Sequence, residues 1–193
     1  MIEVLLRLII LFAVIIDPLL TLAFFVSSTQ KMSKEEKIET TIKSIILAFS
    51  IVLAFLFFGE MLLKLFSIDL NHFRIAGGII LALLGIKMTL GLTFKTTMED
   101  ATTKEAISAL IATPLISGPA CITTIIVSSF DYGRLVTGIA VSTVILITAG
   151  FLFLFSIMHG KKIPEVAIKM TTTMMGLITV AWGISFIMTG LGL

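Results

Sequence analysis

Apolar runs of roughly membrane length recur along the whole chain, at 4–28, 43–66, 73–94, 106–129, 135–158 and 171–192, with short polar stretches between them. About 20 consecutive apolar residues in a helix cross the hydrocarbon core of a bilayer, so the pattern predicts six transmembrane helices and leaves no room for a soluble domain. The polar stretches carry helix signals of their own. Ser33 followed by Glu36 fits a capping box, which predicts that the second helix starts near Lys34 and projects into water before it enters the bilayer. Glu39 and Lys43, four residues apart, support that extension. The stretch 95–105 is the longest polar one and reads as a link between residues 1–94 and 106–193.

Two of the six runs are interrupted near their middles, by Asp17-Pro18-Leu19-Leu20-Thr21 and by Thr113-Pro114-Leu115-Ile116-Ser117-Gly118-Pro119-Ala120-Cys121. Proline has no N–H to donate and its ring clashes with the carbonyl four residues earlier, so both helices are expected to break or kink there. Backbone groups freed in a bilayer need partners in protein or in a polar cavity. Each break also has the form of a helix start, with Asp17 or Gly118 in the N-cap position and Pro18 or Pro119 in the first turn.

The two halves correspond. Asp17-Pro18 matches Gly118-Pro119 at an offset of 101, while Gly78 and Gly85 match Gly176 and Gly183 at an offset of 98. Glycines seven apart share one helix face and let backbones approach closely. Three spans per half is an odd number, so the halves must be inverted relative to each other, as in transporters with a binding site at broken helices. The fold expected is therefore an all-α membrane protein of six transmembrane helices in two inverted three-helix repeats, with the first and fourth helices broken at proline. Lysine and arginine placement sets the orientation. Lys31, Lys34, Lys37 and Lys43 gather at the first connection, Lys87, Lys95 and Lys104 at the third, and Lys161, Lys162 and Lys169 at the fifth. Only Arg7, Lys64, Arg74 and Arg134 lie at the opposite side. The odd-numbered connections are thus expected in the cytoplasm and both termini outside, in a plasma membrane.

Composition narrows the chemistry. With 58% hydrophobic and 13% charged residues, the chain is unlike a soluble globular protein, and its net charge of +2 is not gathered into a nucleic-acid-binding stripe. The opening run lacks a small-residue cleavage site and carries Asp17, so it is expected to stay as the first span. Cys121 is the only cysteine, and neither His72 nor His159 has metal-ligand spacing to another ligand. No cofactor, metal or catalytic residue is expected. Asp17 is the informative residue, because a carboxylate at membrane depth is costly and usually functional. Two roles are open to it: a partner for a substrate ammonium and carrier of a coupling proton, or a structural cap that binds nothing. At the second break the N–H groups after Gly118 form an anion-accepting end. Asp17, Pro18, Thr21, Gly118, Pro119, Ala120, Cys121, Thr123 and Thr124 are the candidate substrate-binding residues, arranged for a zwitterion between the two helix starts. Glu60 is expected at the outer surface, Trp182 in the core, and Thr171-Thr172-Thr173 in contacts between helices.

The Asp17-Pro18 break, Arg74-Ile75-Ala76-Gly77-Gly78, and Pro114-Leu115-Ile116-Ser117-Gly118-Pro119 running into Ile122-Thr123-Thr124 resemble the MarC family of integral membrane proteins over nearly the whole chain. The resemblance implies six spans, inverted repeats and transport of small neutral amino acids such as glycine and alanine, proton-coupled or as efflux, with contacts at both breaks. The chain departs from the family pattern where Leu20 and Thr21 replace a glycine and an asparagine, and where Ala120-Cys121 replaces Gly-Ala. The partners expected are a small zwitterionic substrate and the lipid bilayer. A channel, or a membrane protein with no transport role, are the competing readings.

Overall fold

The computed structural model describes residues 2–91, 103–157 and 165–193. Most of the 95–105 link lies outside them, as do Lys95, His159, Lys161 and Lys162. Every described element is helical: α1 (Ile2–Ile16), α2 (Pro18–Ser28), α3 (Lys34–Leu65), α4 (Leu70–Thr89), α5 (Lys104–Leu110), a wide turn (Ile111–Ile116), α6 (Pro119–Tyr132), α7 (Arg134–Ile157) and α8 (Glu165–Gly190). Five stretches among the described residues are long and apolar enough to cross a membrane: Ile2–Ser28, Lys34–Leu65, Leu70–Thr89, Arg134–Ile157 and Ile168–Gly190. The fourth apolar run is divided among α5, the wide turn and α6.

Local chemistry explains where helices begin. Ser33 Oγ accepts the Glu36 N–H at 3.2 Å, and Glu36 Oε2 accepts the Ser33 N–H at 2.8 Å, closing the capping box that starts α3. At 32 residues α3 is about 48 Å long, more than the roughly 30 Å of hydrocarbon in a bilayer. Its charged first turns therefore extend beyond the apolar zone. There Lys104 meets Glu36 at 2.9 Å, and Lys43 meets both Glu39 at 2.8 Å and Glu105 at 3.5 Å, tying α5 to α3. At the other end of α3, half-buried Glu60 accepts from Lys64 at 2.7 Å and from Arg134 of α7 at 2.6 Å.

The interrupted helices form the centre. Over the most apolar part of Ile2–Ser28, 56% of the residues are buried, against 17–39% in the other four candidate spans. Leu8, Leu11, Phe12, Leu22 and Phe25 of α1 and α2 join Ile111, Ile116 and Ile125 of the second interrupted segment in one core. Trp182 packs against that core, and outward residues such as Phe57, Phe58 and Leu135 remain exposed.

α4 and α8 run antiparallel and touch through glycine. A Cβ built on Gly78 would lie 2.5 Å from the Gly183 carbonyl oxygen, and one on Gly183 would lie 2.7 Å from that of Gly78. Gly85 and Gly176 face each other in the same way, at 2.5 and 2.7 Å. A step of seven along α4 is matched by a step of seven back along α8. At these places any side chain would have to occupy the neighbour's backbone.

Candidate functional site

At the first interruption α1 ends at Ile16, Asp17 takes left-handed angles (φ 42°, ψ 78°), and α2 begins with Pro18. Aspartate tolerates this conformation better than most residues because its short side chain bonds locally. Asp17 Oδ1 accepts the Leu20 N–H at 3.1 Å, and Oδ2 accepts the Thr172 hydroxyl of α8 at 3.0 Å. With the Leu20 N–H diverted, the Ile16 carbonyl accepts the Thr21 hydroxyl at 3.1 Å. Asp17 is 3% exposed, and both its carboxylate oxygens find their partners within the protein.

The second interruption is longer. Thr113 is extended (φ −141°, ψ 120°), as expected for a residue that precedes proline. The chain closes the wide turn by directing both the N–H and the hydroxyl of Ser117 to the Ala112 carbonyl, at 2.8 and 2.7 Å. As at Ile16, a carbonyl ahead of the break is answered by a hydroxyl five residues on. The helix starts differ in one respect. Asp17 caps α2 with its own side chain, whereas α6 follows Gly118 and no side chain caps it. The first-turn N–H groups of Ala120 and Cys121 have no acceptor within the helix.

That uncapped start borders a cavity of about 270 Å³. Ile15, two residues before Asp17, lines one side, and Ile80, Leu83, Leu84 and Lys87 of α4 line another. Leu115 and the run from Gly118 to Cys121 complete it. The structure thus brings four of the nine sequence candidates together: Gly118, Pro119, Ala120 and Cys121. Asp17, Pro18, Thr21, Thr123 and Thr124 are not among the lining residues. Both carboxylate oxygens of Asp17 are engaged, and the hydroxyls of Thr21, Thr123 and Thr124 each donate to a backbone carbonyl of their own segment. Lys87, Ile80 and Leu83 were not candidates from sequence. Nothing local in α4 marks them, because their role depends on which face of α4 meets α6.

α4 and α6 close on one another beside the cavity. A Cβ on Gly77 would fall 1.9 Å from Thr123 Cγ2, and an ion pair joins Arg74 near the start of α4 to Asp131 near the end of α6. Gly77→Ala is therefore expected to lower the melting temperature. Thr123→Ser removes the opposing methyl and keeps the hydroxyl, so adding it should recover part of the loss. Thermal unfolding of the single and double variants in detergent checks the coupling, and equal melting of Gly77→Ala with and without Thr123→Ser would refute the contact.

An all-helical chain with several such apolar stretches, packed around two interrupted helices, is an integral membrane protein. Residues 2–192 match the family described as MarC family integral membrane protein, and the chain belongs to that family. It is similar to a UPF0056 membrane protein of Methanocaldococcus jannaschii, 32% identical over 185 residues that cover 92% of this chain and 90% of that protein. A UPF0056 membrane protein of Pyrococcus horikoshii is 33% identical over 186 residues, covering 92% of this chain and 89% of its own length. One from Buchnera aphidicola is 32% identical over 194 residues, with 92% and 87% covered. No solved structure matches the chain.

Proposed function

We propose that the chain is a secondary transporter or exporter of neutral amino acids, working by alternating access. In this reading it has six spans in two inverted repeats, α1 to α4 and α5 to α8, with the first and fourth spans interrupted, both termini outside and the odd-numbered connections in the cytoplasm. The cavity at the uncapped start of α6, next to the first interruption, carries the proposal. Irregular backbone at membrane depth is tolerated where it lines a cavity, and paired broken helices mark transporter sites. The repeat reading is supported by the glycine contacts. Exchanging the halves at the offset of 98 turns the pair Gly78 and Gly183 into the pair Gly176 and Gly85, which is also in contact. A substrate carboxylate would meet the N–H groups of Ala120 and Cys121. Asp17 is assigned the coupling proton, while its two hydrogen bonds favour a capping role over contact with a substrate ammonium. The activity proposed is carriage, with no catalysis and no cofactor.

The test is uptake of labelled neutral amino acids, beginning with glycine, alanine and serine, into proteoliposomes with and without an imposed pH gradient. Uptake above that of protein-free liposomes is expected. Channel conductance in planar bilayers, or no movement of any neutral amino acid, would replace this reading with one of its competitors.

A further inference from the structure

The cavity's lining departs from what glycine or alanine requires. Its walls are aliphatic: Ile15, Ile80, Leu83, Leu84 and Leu115. Its only charged lining residue is Lys87, which has no ion-pair partner among the described residues. Ile80, Leu83 and Lys87 are exposed, so the cavity is open along α4, and a glycine placed there would leave most of its aliphatic wall uncovered. The complement of one cation beside a branched-aliphatic wall is an anionic head on a branched-aliphatic tail.

We propose that this cavity selects carboxylates with a branched-aliphatic chain, leucine and isoleucine among the amino acids, with Lys87 meeting the carboxylate and Ile80, Leu83, Leu84 and Leu115 meeting the side chain. The inference rests on the transporter reading and names its substrate class. It makes the amine a minor contributor, because Asp17 does not line the cavity and its oxygens are already engaged. Each methylene added to a ligand in a well-fitting apolar pocket improves binding by roughly tenfold or more. Leucine should therefore bind at least about tenfold more tightly than alanine.

The experiment is ligand-induced thermal stabilisation of the purified full-length chain, titrated with glycine, alanine, valine, leucine and isoleucine. 4-Methylpentanoate keeps leucine's carboxylate and drops its amine, and isopentylamine does the reverse. Leucine, isoleucine and 4-methylpentanoate should stabilise the protein, and isopentylamine should not. Lys87→Gln should weaken leucine binding by tenfold or more, with Lys87→Arg retaining most of it. Leu83→Trp, at a position 55% exposed where bulk is tolerated, should fill the cavity and abolish the response without lowering the unliganded melting temperature. Stabilisation by glycine and alanine but not by leucine would overturn this inference and leave the transporter reading standing. A leucine response unchanged by Lys87→Gln and Leu83→Trp would overturn the location in the same way. A response that keeps growing from 4-methylpentanoate to dodecanoate would overturn it in favour of a lipid groove. No response to any of these ligands would count against both.

Discussion

Gly85→Val is expected to remove the folded protein. The first added atom would lie 2.5 Å from the Gly176 carbonyl oxygen and 2.7 Å from the Val180 nitrogen, so α4 and α8 could not pair as they do. The milder Gly85→Ala places the same Cβ without the branches. Overpacking of this kind costs about 1–3 kcal/mol, which for a chain of this size lowers the melting temperature by roughly 2–12 °C. Gly78→Ala, Gly176→Ala and Gly183→Ala should behave alike, because each meets a backbone oxygen at 2.5–2.7 Å. Gly150→Ala is the control. A Cβ there meets nothing within 4 Å, and replacing a helix-interior glycine by alanine gains about 0.5–1 kcal/mol. Size-exclusion profiles and thermal melts in detergent would check the series, and a Gly85→Val protein that remains monodisperse with an unchanged melt would refute the packing.

At Asp17 the expected order of stability is aspartate, then asparagine, then glycine, then alanine. Asparagine caps helices as well as aspartate and also tolerates left-handed angles, so Asp17→Asn keeps the fold. Glycine loses the cap and, like alanine, leaves the Leu20 N–H and the buried Thr172 hydroxyl without their partner, but it adopts φ 42° freely and so escapes the left-handed strain. Alanine loses the cap, at about 0.5–2 kcal/mol, and bears the left-handed strain of about 1–2 kcal/mol as well. Melting temperatures of the four proteins test this order, and equal stability of the glycine and alanine variants would show that the backbone angle is not what Asp17 secures. In proteoliposomes Asp17→Asn should still move substrate but lose its response to a pH gradient. Uptake that responds to pH as the wild type does would leave Asp17 a cap alone.

The parts of this molecule that were legible in sequence are those governed by a few neighbouring residues. Ser33 with Glu36, Asp17 with Pro18, and Gly118 with Pro119 all mark helix starts where the structure has them. The seven-residue glycine spacing foretold a close helix contact, although not which glycine would face which. Long-range placements had no such signal. Thr172 reaches Asp17 across 155 residues, and the nearby Thr171 and Thr173 offer the same chemistry in sequence. Lys87 read as one of the cytoplasmic cations, and only the packing of α4 against the second interruption puts it at the cavity. The local pattern placed one site between the two helix starts, with Asp17 meeting the ammonium and the N–H groups after Gly118 the carboxylate of a zwitterion. In the structure one start is capped by its own carboxylate and the other borders the cavity, a difference that follows from Asp17 standing where the second half has Gly118.

Counterflow is the most direct test of the central claim that this cavity serves a carrier. Proteoliposomes loaded with an unlabelled mixture of neutral amino acids would be diluted into trace labelled amino acid with no ion gradient imposed. Alternating access predicts transient accumulation of label above equilibrium, abolished by Leu83→Trp. Label that never exceeds equilibrium, or accumulation that Leu83→Trp leaves unchanged, would contradict the account.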